Sequence, residues 1–194
     1  MRLTLARLTA TAGLAALLFA VAPTTSANAQ ETEVASAEPA AAAARPAQPR
    51  SGSGLPLPRF VSLKATRVNL RVGPGRDYPV SWLFLKAGLP MEVIQEYDNW
   101  RRVRDSEGSE GWVFHSLLSG ERTAIAAPWL KGKSATIDMR RSADETSQIV
   151  ARMEPGVVAN VAECSFGWCR VEAGNREGFV SQNELWGVYP GERF

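Results

Sequence analysis

An internal repeat constrains this chain more than any other feature, because a recurring unit of this size sets the fold before any single strand is assigned. The segment VNLRVGPGRDYPV (68–80) sets against IDMRRSADETSQI (137–149), LKAGLPMEV (85–93) against MEPGVVANV (153–161), and EGWV (110–113) against EGFV (177–180). Between these blocks Trp100 and Val103 match Trp168 and Val171, and Leu118 matches Leu185. The offset slips by single residues from block to block, and the slips fall where the sequence reads as loop.

Within each copy the period is that of β-structure. Val68, Leu70 and Val72 alternate with Arg67, Asn69 and Arg71, giving one apolar and one polar strand face. Met91, Val93 and Tyr97 alternate with Glu92 and Glu96, while Ile94 interrupts the pattern and reads as burial on both faces. Turn chemistry separates the runs: Gly73-Pro74-Gly75, the stretch around Gly88, Asp98-Asn99, residues 106–111, and Gly174-Asn175 in the second copy. No segment sustains apolar spacing of three and four residues over a helix length, so the predicted class is all-β.

The residues before the repeat read as targeting and tether. Arg2 and Arg7 precede an apolar run ending at Ala22 that is short and Thr-interrupted for a membrane span of about 20 residues. Ala27-Asn28-Ala29 then supplies a small-residue cleavage site, which predicts a signal peptide over 1–29 with cleavage after Ala29 and no membrane span in the mature chain. An uncleaved anchor is the alternative. The expected destination is the periplasm or the outside of the cell. Residues 30–58 are rich in Ala, Pro, Gly and Ser, with almost nothing large to bury, and are predicted to be a disordered linker. Its RPAQPR stretch matches a bare P-x-x-P pattern, which a plain linker explains as well.

Charge narrows the partners. The chain holds 22 Lys plus Arg against 20 Asp plus Glu, and loss of Arg2 and Arg7 with the signal leaves the signs balanced. A nucleic-acid binder is expected to carry a marked basic excess, so nucleic acid is not an expected partner.

The pattern N-L-R-x-G-P-G-x-x-Y-P, then L-x-x-G before a hydrophobic strand, then W-x-x-V and G-W-V-x-x-x-L-L, resembles the bacterial SH3 domain. The run RDSEGSEGWVFHSLLSG with the later LWGVYPGE also resembles the tandem SH3-like exported proteins of α-proteobacteria. The second copy departs from the pattern, with Ser142-Ala143-Asp144 for the Gly-Pro-Gly turn and Phe179 for the Trp. The resemblance implies two tandem SH3-like β-barrels, over 59–123 and 128–190, each a small barrel of five or more short strands. Such modules serve envelope proteins and cell-wall enzymes as targeting or ligand-holding units and carry no chemistry of their own.

A domain of about 60 residues buries only about 60% of its unfolded surface, so small modules need staples. Cys164 and Cys169 lie in AECSFGWCRV, where two strand-like flanks around a short turn would set the side chains opposite each other. A structural disulfide is expected in an oxidising compartment, with a redox pair or metal site as the alternative.

Catalysis is not expected. His115 is the one histidine, and the second copy has Gln182 in the equivalent stretch. A Cys-His hydrolase would need a free Cys and a papain-like body. No His and carboxylate spacing suggests zinc, and Gly73-Pro74-Gly75 lacks the donor, continuation and helix of a phosphate loop. No cofactor or metal is expected.

Binding residues are sought among aromatics and arginines. Trp112 and Phe179 are read as mainly core. Tyr78 and Trp82 flank the GPGRDYP loop, Trp100 sits at a hairpin turn, and Arg102 and Arg104 share a strand face beyond it. If loop and strand adjoin, these five residues form an aromatic, basic-edged groove able to stack on sugar rings or hold an acidic peptide. Two function classes remain. One is a non-catalytic module engaging a cell-envelope component such as peptidoglycan, as glycan or peptide, through the first copy. The other is an interaction or structural adaptor in which both copies pack together, through Pro128, Trp129, Trp186 and Tyr189, and face an envelope protein.

Overall fold

The computed structural model describes residues 52–194, so the signal segment and residues 30–51 of the linker lie outside it. Two antiparallel sheets of seven strands each account for the repeat. The first runs β1 (Arg59–Leu63), β2 (Val68–Arg71), β3 (Val80–Phe84), β4 (Pro90–Tyr97), β5 (Trp100–Arg104), β6 (Glu110–Phe114) and β7 (Leu118–Ser119). The second runs β8 (Thr123–Ala126), β9 (Ile137–Arg140), β10 (Ile149–Met153), β11 (Val158–Ser165), β12 (Trp168–Ala173), β13 (Arg176–Ser181) and β14 (Leu185–Trp186). Strand order is β3-β2-β6-β5-β4-β1-β7 in one and β10-β9-β13-β12-β11-β8-β14 in the other, the same path twice.

The alternation read in the sequence places the cores. Val68, Leu70, Met91, Val93, Val103 and Val113 are buried in the first module, and Ile137, Met139, Val161, Val171 and Val180 in the second. Val72 is an exception. It lies just past the end of β2 and is exposed. Ile94 is the extra residue of a β-bulge, since Val93 pairs with Val103 and Gln95 with Arg102. The bulge reverses the facing of the residues beyond it in β4. Tyr97 is therefore exposed rather than inward, and the Glu96 carboxylate takes Arg59 at 2.6 Å and Arg101 at 3.0 Å. The second module repeats the bulge at the position between Val161 and Glu163.

The EG motif of both copies has a steric cause. A Cβ on Gly111 would meet Leu70 Cγ at 2.5 Å and the Arg71 carbonyl at 2.9 Å, and one on Gly178 would meet Met139 Cγ at 2.5 Å and the Arg140 carbonyl at 2.7 Å. Only glycine lets β2 and β9 cross so close to β6 and β13. Cys164 and Cys169 are directly opposed across β11 and β12, buried, and joined as a disulfide. Phe166 and Gly167, both at positive φ, form the tip between these strands.

Two segments lie differently from their reading by composition. Residues 52–58 pack on the first module: Leu57 lies against its core and the Ser53 hydroxyl donates to Glu96 Oε1 at 2.9 Å. Thr123, expected to end the first module, and residues 124–126, expected to lie between the modules, form β8, buried throughout and paired with β11 and β14. The second module thus begins upstream of Pro128. No helix among the described residues is long and apolar enough to cross a membrane, which leaves β-barrels unaddressed.

Candidate ligand-binding cleft

The two barrels meet along an aromatic and polar junction. The Phe60 ring stands edge-on to Trp186, with centroids 5.2 Å apart, and lies 4.7 Å from Tyr189. The Arg122 guanidinium holds both Glu192 oxygens at 2.9 Å and lies 4.3 Å from the Phe194 centroid. The Tyr189 hydroxyl donates to Glu92 Oε1 at 2.9 Å, and burial beside that carboxylate raises its pKa. Trp186 and Tyr189 therefore do pack between copies, whereas Trp129 is exposed.

This junction leaves a cleft of about 320 Å³ between the modules. Trp82, Phe84 and Met91 form the first module's apolar wall, the loop 105–109 its polar rim, and Ile125, Pro128 and Lys131 the opposite side. The rim loop is pinned by Asp105, whose Oδ1 accepts from the backbone N–H of Glu107 at 2.9 Å and of Ser109 at 2.8 Å. Lys131 Nζ reaches Glu107 Oε1 at 3.3 Å across the modules. Both side chains are well exposed, so solvent screens the pair and it adds little stability. Trp82 supplies the wall's open surface: it is 61% exposed although it pairs with the buried Leu70.

The five residues expected to form one groove are divided by the structure. Trp82 lines the cleft. Tyr78 lies over Gly73 and Gly75, whose missing side chains make room for its ring, and remains half exposed. That packing explains why the second copy lost both together: Ser142 and Ser147 stand there instead, joined hydroxyl to hydroxyl at 2.8 Å. Trp100 lies elsewhere, edge-on to Phe114 at 5.5 Å. Arg102 and Arg104 share a face as expected, but both are engaged by Glu110 at 2.8 Å, and Arg104 also by Glu92 at 3.2 Å. Hydrogen bonding from Arg104 lowers the Glu110 pKa. The groove is therefore not basic-edged.

Trp112 is not core. It pairs with Arg102 on one side and Arg71 on the other, on the outer face, and the second module repeats the row as Arg170, Phe179 and Arg140. Arg71 Nη1 donates to the Tyr78 carbonyl at 2.6 Å, and Arg140 Nη1 likewise to Ser147 at 2.8 Å, which ties each loop to its sheet. His115 is exposed, its ring 5.0 Å from that of Phe114.

Two antiparallel sheets that follow the same strand path, with bulges and turns in register, define a tandem SH3-like protein. The bacterial SH3 domain model matches residues 64–120 and 133–187, more than half of the chain, so the chain belongs to the bacterial SH3 domain family. No curated protein matches it by sequence. Similar solved structures include NlpC2 of Trichomonas vaginalis, at 9% identity and TM-score 0.30 over 66% of this chain and 48% of that one. NlpC1 of the same organism shares 11% identity at TM-score 0.31, covering 70% and 48%. An NlpC/P60 family protein from Bacillus cereus shares 11% at TM-score 0.29, covering 68% and 57%. The chain spans about half the length of these structures.

Proposed function

We propose that this protein is an exported, non-catalytic binding protein that engages a cell-envelope component such as peptidoglycan through its first module. The observation that carries the reading is Trp82, a largely exposed indole at the mouth of the inter-module cleft, where the second module has Ala151 at the equivalent pairing position. An open indole face beside a polar rim suits stacking on a sugar ring with hydrogen bonds at its edge. Tyr78 supplies a second exposed ring on the same module; Trp100, Arg102 and Arg104 serve the sheet rather than the ligand. Non-catalytic action accords with two cysteines bonded to each other and a histidine seated against Phe114. Export accords with the disulfide.

The test is co-sedimentation of the protein with purified cell-wall sacculi. Pelleting at low salt that falls at least tenfold in Trp82→Ala, and persists in Trp100→Ala, supports the reading. No pelleting at low salt overturns it.

A second reading is a periplasmic interaction or structural adaptor that presents two packed modules to an envelope protein. The junction of Phe60, Trp186, Tyr189 and Arg122 favours it, because it fixes the two barrels against each other.

A further inference from the structure

Strand β3 lies at the edge of its sheet and, among the described residues, pairs with β2 alone. It carries no charge from Val80 to Phe84, yet Val80, Trp82 and Leu83 are 46%, 61% and 36% exposed, and Leu85 just beyond is 66% exposed. A long, apolar edge is a pairing template that natural proteins normally blunt.

The second module shows that the fold does not require it. Leu83 pairs with Asn69, and Arg152 with Asp138 at the equivalent place, where the two charges join at 3.1 Å. The register makes Met153 the equivalent of Phe84, one residue off the sequence alignment, so Ala151 stands for Trp82 and Glu154 for Leu85, while Arg141 and Ser147 replace the exposed Val72 and Tyr78. One copy therefore has a blunted edge and the other an open one, on the same backbone path. The opposite edges, β7 and β14, are two residues long and offer little to pair with.

We propose that β3 is a homodimer interface, at which two copies of this chain pair β3 against β3, antiparallel, about a two-fold axis. Self-pairing suits this strand on three counts. Its uncharged run opposes no like charges in an isologous contact. Antiparallel pairing about its midpoint sets Trp82 beside Trp82 of the second copy and Leu83 beside Ser81. The flanks avoid repulsion, because Lys86 of one copy falls beside the exposed Tyr78 ring of the other rather than beside Arg76. Because each chain has one open edge among the described residues, the contact closes at two copies and does not propagate into filaments. The contact shares Trp82 and Tyr78 with the proposed ligand surface, but its test reads association of the protein with no ligand present.

Sedimentation velocity of the purified protein from about 1 to about 200 µM reads the association directly. The expected result is a concentration-dependent monomer–dimer equilibrium, weakened at least tenfold in Leu83→Arg, which installs the second module's own residue, and in Leu85→Glu, which lies outside the strand. Both sites are solvent-facing, and an unchanged far-ultraviolet circular dichroism spectrum and melting point check that each variant is folded. Tyr97→Ser, which removes an equally exposed ring from another part of the module, should leave the equilibrium unchanged. A protein that stays monomeric throughout this range, or a dimer that survives both Leu83→Arg and Leu85→Glu, overturns the proposal.

Discussion

The hydroxyl of Tyr189, beyond the last strand of the second barrel, donates to Glu92 Oε1 in β4 of the first at 2.9 Å, and Glu92 in turn holds Arg104 at 3.2 Å. A single side chain thus ties the junction to the first module's strand network. Tyr189→Phe should cost about 1 kcal/mol, since it removes one hydrogen bond and leaves a half-buried carboxylate oxygen to find water. Burial, together with the Glu92 carboxylate, raises the Tyr189 pKa above its ordinary value of 10.0. The unfolded chain therefore ionises first. Stability from this group is full below that value and is lost as the pH rises above it. Denaturant melts between pH 8 and about pH 11 should show an alkaline decline that Tyr189→Phe flattens. An unchanged slope in the variant would show that the hydroxyl does not titrate against folding.

Gly111→Ala and Gly178→Ala should each destabilise their own module by about 2 kcal/mol or more, because the added methyl meets backbone as well as side chain and β-strands cannot shift apart without breaking their ladder. Gly108→Ala, at a loop glycine with open space but positive φ, should cost only about 1 kcal/mol. Comparing the three by chemical denaturation separates steric closeness from backbone freedom. Equal losses would refute the steric account.

Much of this architecture was legible in the chain because it was written twice. The paired EG motifs, the turn glycines and the alternating apolar residues of β2 and β9 follow from local geometry, and local geometry is what sequence periodicity reports. The bulge at Ile94 was visible only as a break in alternation, and its effect on Tyr97 and Glu96 could not be read without the register. Strand β8 escaped because Thr123, Ala124, Ile125 and Ala126 are all buried, so no alternation marks them. The cleft was hidden for a different reason. It belongs to neither copy, and Trp82 acquires its place opposite Lys131 only when both barrels are set together. Arg102 and Arg104 misled because a pair of cations in sequence says nothing of Glu110 across the hairpin.

Glu184 offers a test of electrostatics in the second module. It shares a pocket with Asp138 and Arg140, and its pKa is raised above 4.5, chiefly by burial and then by Asp138, with Arg140 opposing. A carboxyl whose folded pKa is raised holds its proton more tightly in the native state, so the charged form weakens folding and stability falls as the pH climbs through that range. Glu184→Gln should stabilise the protein near pH 7 by less than about 1 kcal/mol, given its partial exposure. The gain should fade toward about pH 4 and below, where Glu184 takes up its proton in the folded and the unfolded chain alike. Melting temperatures of the two proteins at pH 4 and pH 7 check this, and a variant destabilised at pH 7 would contradict it.

The disulfide carries the clearest asymmetry between the modules. Cys164 and Cys169 are both buried in the second core, and Cys164 also exchanges backbone hydrogen bonds with Phe194 at 3.1 and 3.2 Å. Closing a loop this short should contribute about 2 kcal/mol in the chain-entropy model. The double change to Ser should lose that and more, since two hydroxyls would be buried where sulfurs packed. Changing both to Ala removes the bond without the buried hydroxyls and should therefore be the milder variant, by about 1 kcal/mol or more. Because the first module has no counterpart bond, either variant should lower protection of β11 and β12 against hydrogen exchange while leaving β4 and β5 protected as before. Equal loss of protection in both modules would show instead that the junction through Phe60, Trp186 and Tyr189 makes the two barrels a single cooperative unit.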